Sequence, residues 1–479
     1  MESMDCDVAT VGGGITGLTL AWMLKRLGRK VLVFERASAC GGVLQTDRVG
    51  ECLLEIGPNT ILAGAHFIQL ASELGLSEQL LFSHPSAKKR YLLCRDKKSD
   101  AVRLAALPTG LGNLFGNPHL PLRFYREVLR ESFVAPSQLE DESVRDFITR
   151  RLGKYTADYL VSPLLSGIWA ADISRLSARS ALAKLWSMEK EYGSITKAVL
   201  WGWKRGGAKK DHPGSPPNSP RKRAMVSFRN GLASLANALQ ATLGPDVLIT
   251  NTRVVSFSSQ EFAPAMSGVS LTVSIAGVER TVVAKQLVLA ASATDCANLL
   301  QEHDSYLAQL VRTVPSAPVG VLHLSVKETE IEHPLDGFGF LCAPSYGKNV
   351  LGVIFSSSIF EGRAPKGQAL LTCFSGGMHN PQFAEATNPD VQREVLKDVR
   401  ELLGVRAVPT VLGSYYYPQA IPNYALGHHQ VQEAVSCYEK KEPRVIISGN
   451  WLKGISVADR IDQAIDICDH VVSAQLERA

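Results

Sequence analysis

Nine cysteines, at positions 6, 40, 52, 94, 296, 342, 373, 437 and 468, are scattered along the chain, and none forms a C-x-x-C pair. An odd count without that spacing argues against a disulfide framework and against a zinc site, and fits thiols in a reducing compartment. There is no run of about 18 apolar residues, so no transmembrane helix is expected. The first strand pattern starts almost at the N-terminus, which leaves no room for a signal peptide. Charge of one sign is not in excess: 51 Lys and Arg face 46 Asp and Glu, for a net charge of +5. That is too balanced for a dedicated nucleic-acid binder. It remains compatible with an anionic substrate or an anionic membrane surface. No internal repeat, metal-ligand spacing or Ser-His-Asp order stands out. What is present is ordinary for a globular enzyme, with 45% hydrophobic and 20% charged residues. The length suggests about two to four domains.

The informative stretch is residues 7–42. Asp7–Val11 reads as a short strand, and Gly12, Gly14 and Gly17 follow in a G-x-G-x-x-G frame. A helix pattern then leads to a second strand, Val31–Phe34, which ends on Glu35 at the distance expected of a ribose-binding acid. Gly12 permits the tight turn, Gly14 lets a pyrophosphate approach the backbone, and Gly17 lets helix and sheet pack closely. The helix N-terminus aims unpaired N–H groups at the phosphates. Gly13, Ile15 and Thr16 complete the loop and first turn. Arg36 follows the acid without replacing it. Gly41 and Gly42 let the chain turn back over the pyrophosphate, and Gly57, Pro58, Asn59 and Thr60 form a later loop. This acid-then-glycine-pair extension resembles FAD proteins of the glutathione-reductase-like and amine-oxidase-like groups rather than NAD dehydrogenases.

The rest of the chain changes character several times. Leu120–Phe133, Ser143–Leu152, Tyr155–Leu165 and Ser177–Tyr192 read as amphipathic helices. Residues 204–224 are a basic, proline-rich insertion with the signature of a solvated, flexible loop. Gly231–Leu243 reads as a helix. Val247–Thr250, Val254–Phe257, Val269–Ile275, Thr281–Val283 and 286–291 read as strands, the last one buried. Val319–Val326 and Val350–Phe355 suit a second sheet. Near the end, Gly449, Asn450, Gly454, Ile455, Ser456 and Val457 form a glycine turn that opens a last helix, Val457–Gln475. The fold class is thus α/β, α+β overall. Residues 1–84, 225–300 and 415–479 are expected to form a discontinuous Rossmann-like domain. Residues 85–108 and 301–414 are expected to form a mixed-sheet domain, with 109–203 inserted as a helical domain. His428-His429 reads as a polar turn, and Tyr415-Tyr416-Tyr417 as strand packing.

Several stretches, in order, resemble the protoporphyrinogen oxidase family over essentially the whole chain. They are the Val11–Gly17 loop, Glu55–Asn59, Lys89-Arg90-Tyr91 with Ala106–Gly110, Ser162–Asp172, Gly337–Phe340 and Pro422–His428. The resemblance implies FAD-dependent oxidation of a porphyrinogen by O₂, six hydrogens leaving in three two-electron steps with H₂O₂ produced. It implies Arg90 as anchor for a substrate propionate. It also implies Leu164, Gly167, Phe338, Leu341 and Phe374 as walls for the macrocycle, and Val254 beside the adenine. The residues alone also allow a surface arginine in a basic turn and ordinary core packing. No catalytic side chain is singled out, since the flavin performs hydride transfer, and no metal is expected. Peripheral contact of the helical domain with membrane lipid follows from the same resemblance. The site would then face a reducing compartment, at the bacterial inner membrane or the mitochondrial inner membrane. A homodimer and hand-over of product to a chelatase are compatible with it; nucleic acid is not a partner.

Three alternatives stay open. Coproporphyrinogen III is one rival substrate. Another FAD amine oxidase or desaturase is the second, kept alive by Trp451 and Lys453. The third is a flavin-binding pathway partner without turnover. Its support is the stretch after Gly454, where Asp459, Arg460 and Gln463 occupy the region in which the family usually shows a cysteine and, further on, a glycine.

Overall fold

The computed structural model describes residues 5–95, 102–107, 120–204, 224–263 and 266–476. The insertion at 204–224 and the Pro108–Gly110 part of the hairpin motif lie almost wholly outside the described residues.

Strand Cys6–Val11 is the centre of a seven-stranded sheet. It pairs in parallel with Val31–Phe34 on one side and with Val278–Leu289 on the other. Leu248–Ile249 and Val445–Ile447 extend the parallel part. A central parallel strand is covered on both faces and therefore apolar on both; Val8, Ala9 and Val11 are all buried. Leu18 and Leu24 of helix Ile15–Arg26, Leu235 and Leu239 of Ala233–Leu243, and Ile461 and Val471 of Val457–Leu476 pack on one face. On the other face lie Leu300, Leu307, Val311, Val431 and Val435, from helices Ala293–Leu300, Ser305–Arg312 and His428–Lys441. The strands read separately at 281–283 and 286–291 are one strand, Val278–Leu289. Its first residues form an exposed antiparallel arm with Met266–Ile275, and its second half dives into the core.

The second sheet also has seven strands. Its order is Thr410–Pro422, Ser316–Lys327, Gln368–Gly376, Val350–Phe355, Gly339–Leu341, Tyr91–Arg95 and Val102–Ala106. The boundary expected at 415 falls inside its edge strand. Thr410–Pro422 pairs antiparallel with Ser316–Lys327 along nearly its whole length, so those residues belong to this sheet.

Between the two sheets in sequence lies a helical region. The helix expected at 155–165 runs on from Lys154 to Trp169, with a π-helical turn at Ala157–Val161, and stops where Ala170 takes φ +48°. The helix expected at 177–192 is split at Leu182 into Ala178–Ala181 and Ala183–Tyr192. At its heart Arg151, fully buried, is held between Glu131 at 3.2 Å and Glu189 at 2.8 Å. All nine cysteines are unpaired. Among the described residues no helix is long and apolar enough to cross a membrane.

Candidate functional site: a dinucleotide cavity beside an apolar sheet row

The first strand, the first helix and the glycine loop between them open onto a cavity of about 850 Å³, near the upper end of the range for ligand pockets. Gly12 sits at φ +108°, and a Cβ there would lie 2.4 Å from the Ala290 carbonyl oxygen, so no other residue fits. Gly14 caps the helix, and a Cβ on it would meet no protein atom within 4 Å. That open space is where a pyrophosphate can touch backbone N–H groups at a helix N-terminus. The glycine pair folds back over this loop: Gly41 N donates to Gly13 O at 2.7 Å, and Gly42 stands directly against Gly14.

Glu35 ends the second strand, as the spacing predicts. Its Oε2 accepts from Gly13 N and its Oε1 from Ala37 N, both at 2.8 Å. A carboxylate has about four lone-pair sites, so acceptor capacity remains for a ribose. Arg36 at the mouth pairs with Asp295 at 3.0 Å. Val254 and Val255 both line the cavity, although neighbours on a strand point to opposite faces. A register shift between Val254 and Ser256 makes this possible.

The sequence-predicted residues Gly12, Gly14, Ile15, Thr16, Glu35, Arg36, Gly41, Gly42, Pro58, Thr60, Val254, Gly449, Asn450, Ile455, Ser456 and Val457 all line this cavity. Gly13, Gly17, Gly57, Asn59 and Gly454 stand behind its wall. Gly17 packs on the Gly12 carbonyl and Gly57 on the Val43 carbonyl. Asn59 Nδ2 donates to Gly57 O at 3.3 Å, and Gly454 takes φ +67° just before the last helix. Sequence reasoning missed the wall at Ala290–Asp295, the Val314–Ser316 segment and Pro418–Ala420, and used Trp451 and Arg460 only to keep alternatives open. One signal was there to be read. Ser292 follows a buried strand and caps helix Ala293–Leu300 by accepting from Asp295 N at 3.1 Å, a second strand-cap-helix turn.

None of the six predicted substrate residues lines the cofactor cavity. Three of them share one row of the second sheet or its cover. Leu341 pairs with Gly352, Gly352 with Phe374, Phe374 with Val321, and Val321 with Tyr415. Gly167, on the helix Ser162–Trp169 that also carries Leu164, lies so close to Leu341 that a Cβ would come within 2.3 Å of it. Leu164 is 40% exposed. Phe338, three residues before Leu341, carries Arg90 over its ring at 5.3 Å. Lys89 beside it is taken up by Asp336 at 2.6 Å. Arg90 is exposed and, among the described residues, has no carboxylate partner; its one polar neighbour is Met225 Sδ at 3.8 Å.

Strand Thr410–Pro422 joins the two places. Its Tyr415 ends the apolar row, its Tyr417 hydroxyl donates to Ile56 O at 3.3 Å, and its Pro418, Gln419 and Ala420 line the cofactor cavity. The histidines expected in a polar turn instead begin helix His428–Lys441 and are buried. His428 stacks on Tyr424 at 4.2 Å and bonds Leu452 O at 3.0 Å, which removes it from solvent. Burial holds its pKa below the ordinary histidine value, with Leu452 O and Asp141 opposing.

A doubly wound sheet whose strand ends and three helix N-termini surround one cavity defines a dinucleotide-dependent oxidoreductase, and the dinucleotide is FAD. The chain belongs to the flavin containing amine oxidoreductase family, whose model matches residues 15–472, and to the protoporphyrinogen oxidases, being 31% identical to the chloroplastic protoporphyrinogen oxidase of Oryza sativa subsp. japonica over 98% of this chain and 88% of that one. It is also 28% identical to a coproporphyrinogen III oxidase of Propionibacterium freudenreichii, over 99% of this chain and 92% of the other. A crystal structure of an Exiguobacterium protein, provisionally named a protoporphyrinogen oxidase, superposes with a TM-score of 0.75 at 20% identity, covering 99% of this chain and 100% of that one.

Proposed function

We propose that the protein oxidises protoporphyrinogen IX to protoporphyrin IX with FAD and O₂. The reading is carried by Arg90, an exposed guanidinium without a carboxylate partner among the described residues, stacked on Phe338 three residues before Leu341 of the apolar row. An apolar macrocycle with propionate arms matches that combination. FAD supplies hydride acceptance and reoxidation by O₂. This chain's residues do the rest. Arg90 binds a propionate, and Leu164, Leu341, Phe338 and Phe374 hold the ring and exclude water. Gly167 keeps the helix close to Leu341, and the strand bearing Tyr415 and Ala420 fixes the distance from ring to cofactor. Over three rounds, six hydrogens leave the substrate and three O₂ become three H₂O₂.

Lys453 argues against the amine-oxidase alternative, because it lines a separate outer cavity and not the cofactor cavity. The exposed apolar side chains Leu122, Leu129, Phe133, Leu139, Ile168, Leu200 and Trp201 are concentrated in residues 120–204. They support peripheral seating of the helical region on membrane lipid, where a poorly soluble substrate collects. The decisive assay is porphyrin fluorescence in air. Purified protein should form protoporphyrin from protoporphyrinogen faster than autoxidation, and faster than it forms coproporphyrin from coproporphyrinogen. The reverse preference transfers the reading to the four-propionate substrate. No acceleration on either sinks it.

A further inference from the structure

Asp459, Arg460 and Gln463, which depart from the family pattern, hold the last cofactor loop in place. Arg460 lies in the first turn of helix Val457–Leu476 and is 7% exposed. Its Nη2 donates to the Lys453 carbonyl and its Nη1 to Gln463 Oε1. Ser448 Oγ donates to the same Oε1 at 2.6 Å. Both ends of the loop from Gly449 to Lys453 are therefore tied to one helical turn.

None of these bonds neutralises the guanidinium. Its Nε is buried without a hydrogen-bond partner, and among the described residues no carboxylate forms an ion pair with it. Asp459, its neighbour, turns its carboxylate to Ser456 N at 3.1 Å and lines the outer cavity, whereas Arg460 lines both cavities. Tyr424 also lies near it; the Tyr424 hydroxyl donates to Asn450 O at 2.7 Å, and burial keeps that phenol neutral. The carboxylates lining the cofactor cavity are Glu35 and Asp295 among the described residues. Glu35 is held by two backbone N–H groups, and Asp295 is held by Arg36. A buried cation left in this state calls for an anion.

The pyrophosphate has its own receptor at Gly12–Gly14 and the first helix. FAD acquires one further negative charge, when its ring takes up two electrons and one proton. We propose that Arg460, with the N-terminus of its helix, is the electrostatic partner of that charge and raises the reduction potential of the bound flavin. This rests on FAD occupying the cavity and is independent of which porphyrinogen is oxidised.

The test uses FAD-loaded protein and three substitutions. Arg460→Met removes the charge, Arg460→Gln removes it but keeps a donor for Lys453 O, and Arg460→Lys keeps the charge. The readouts are FAD content, the midpoint potential, and the affinity for sulfite, a probe of positive charge beside the ring. Both neutral variants should shift the reduced-to-oxidised ratio about tenfold towards oxidised, about 30 mV for a two-electron couple, and weaken sulfite binding by a similar factor. Arg460→Lys should restore both. Ser448→Ala, which loosens the loop without touching the charge, should leave the potential unchanged. Wild-type potential and sulfite affinity in the neutral variants overturn the proposal, as does a shift that lysine fails to restore or that Ser448→Ala reproduces. Loss of FAD from both neutral variants also overturns it, because the charge would then serve the oxidised cofactor. Porphyrin formation by the wild-type protein is scored separately. Its absence would refute the porphyrinogen reading and leave the potential shift standing.

Discussion

The cofactor cavity and the substrate row are built by opposite means. The cavity is mostly backbone: glycine turns, helix N-termini and strand ends, assembled where parallel strands stop. The row is mostly side chain: Leu341, Phe374 and Val321 across an antiparallel sheet, with Arg90 on Phe338 three residues before Leu341. A site made of backbone tolerates little, because glycines such as Gly12, Gly17 and Gly57 stand against backbone carbonyls that cannot move. A site made of side chains yields by degrees, because the tip of a leucine or arginine can swing. The helical region that covers the row shows a third case, an ion cluster with no exposure at all around Arg151.

The sharpest break should come at Gly12. Gly12→Val forces a side chain against the Ala290 carbonyl at a φ that valine avoids. The expected outcome is protein without flavin absorbance near the visible band, or no soluble protein; a yellow variant of normal stability would refute the backbone account. Next in size is Arg151→Met, which leaves the buried Glu131 without an ion-pair partner and Glu189 with Arg150 alone. It should cost about 3–5 kcal/mol by chemical denaturation, while a substitution of similar volume elsewhere on the helical surface should be near neutral.

At the row, effects should be graded. Arg90→Ala removes a charged hydrogen bond worth about 1.5–3 kcal/mol, so KM should rise about tenfold to a hundredfold with FAD content intact. Lost flavin, or an unchanged KM, would detach Arg90 from substrate. Gly167→Ala meets only the flexible end of Leu341. A cost of about 1 kcal/mol in transition-state binding, a few-fold in kcat/KM, is expected there. The last effect is in pH. Burial alone would raise the Glu189 pKa, but Arg151, the Ser137 N–H and Arg150 outweigh it and hold the carboxyl at about 2. Its pKa is thus depressed in the folded state. Its contribution is full above the unfolded value of 4.5 and fades as pH falls from there towards 2. Thermal denaturation of wild type should show acid destabilisation across that window, and Glu189→Gln should flatten it.

Legibility followed the same division. Strand, glycine frame, helix and acid are local, so residues 7–42 could be read directly, and so could the glycine turn at 449–454. The second wall of the cavity could not, because Ala290–Asp295 meets Gly12 across a sheet from far along the chain. Val255 escaped notice because a bulge, not alternation, turns it inward. His428 and His429 looked like a polar turn because Leu452 and Asp141, which cover them, lie far from them in the chain. Arg460 looked like a defect in a familiar pattern. Its tether to Lys453 O becomes visible only when the helix folds back on the loop.

By itself the sequence determined that a dinucleotide is held, and at which turns, because glycine conformations and helix termini are properties of short stretches of backbone. The glycine pair Gly41-Gly42 narrowed that to FAD, and the near-full-length likeness narrowed it to a family. Only the tertiary structure decided that Leu341, Gly352, Phe374 and Val321 form one row and that one strand serves both the row and the cavity. It also left Arg90 and Arg460 without carboxylate partners among the described residues. Pairing across a sheet and compensation of a charge depend on residues far apart in the chain, and no local pattern carries that information.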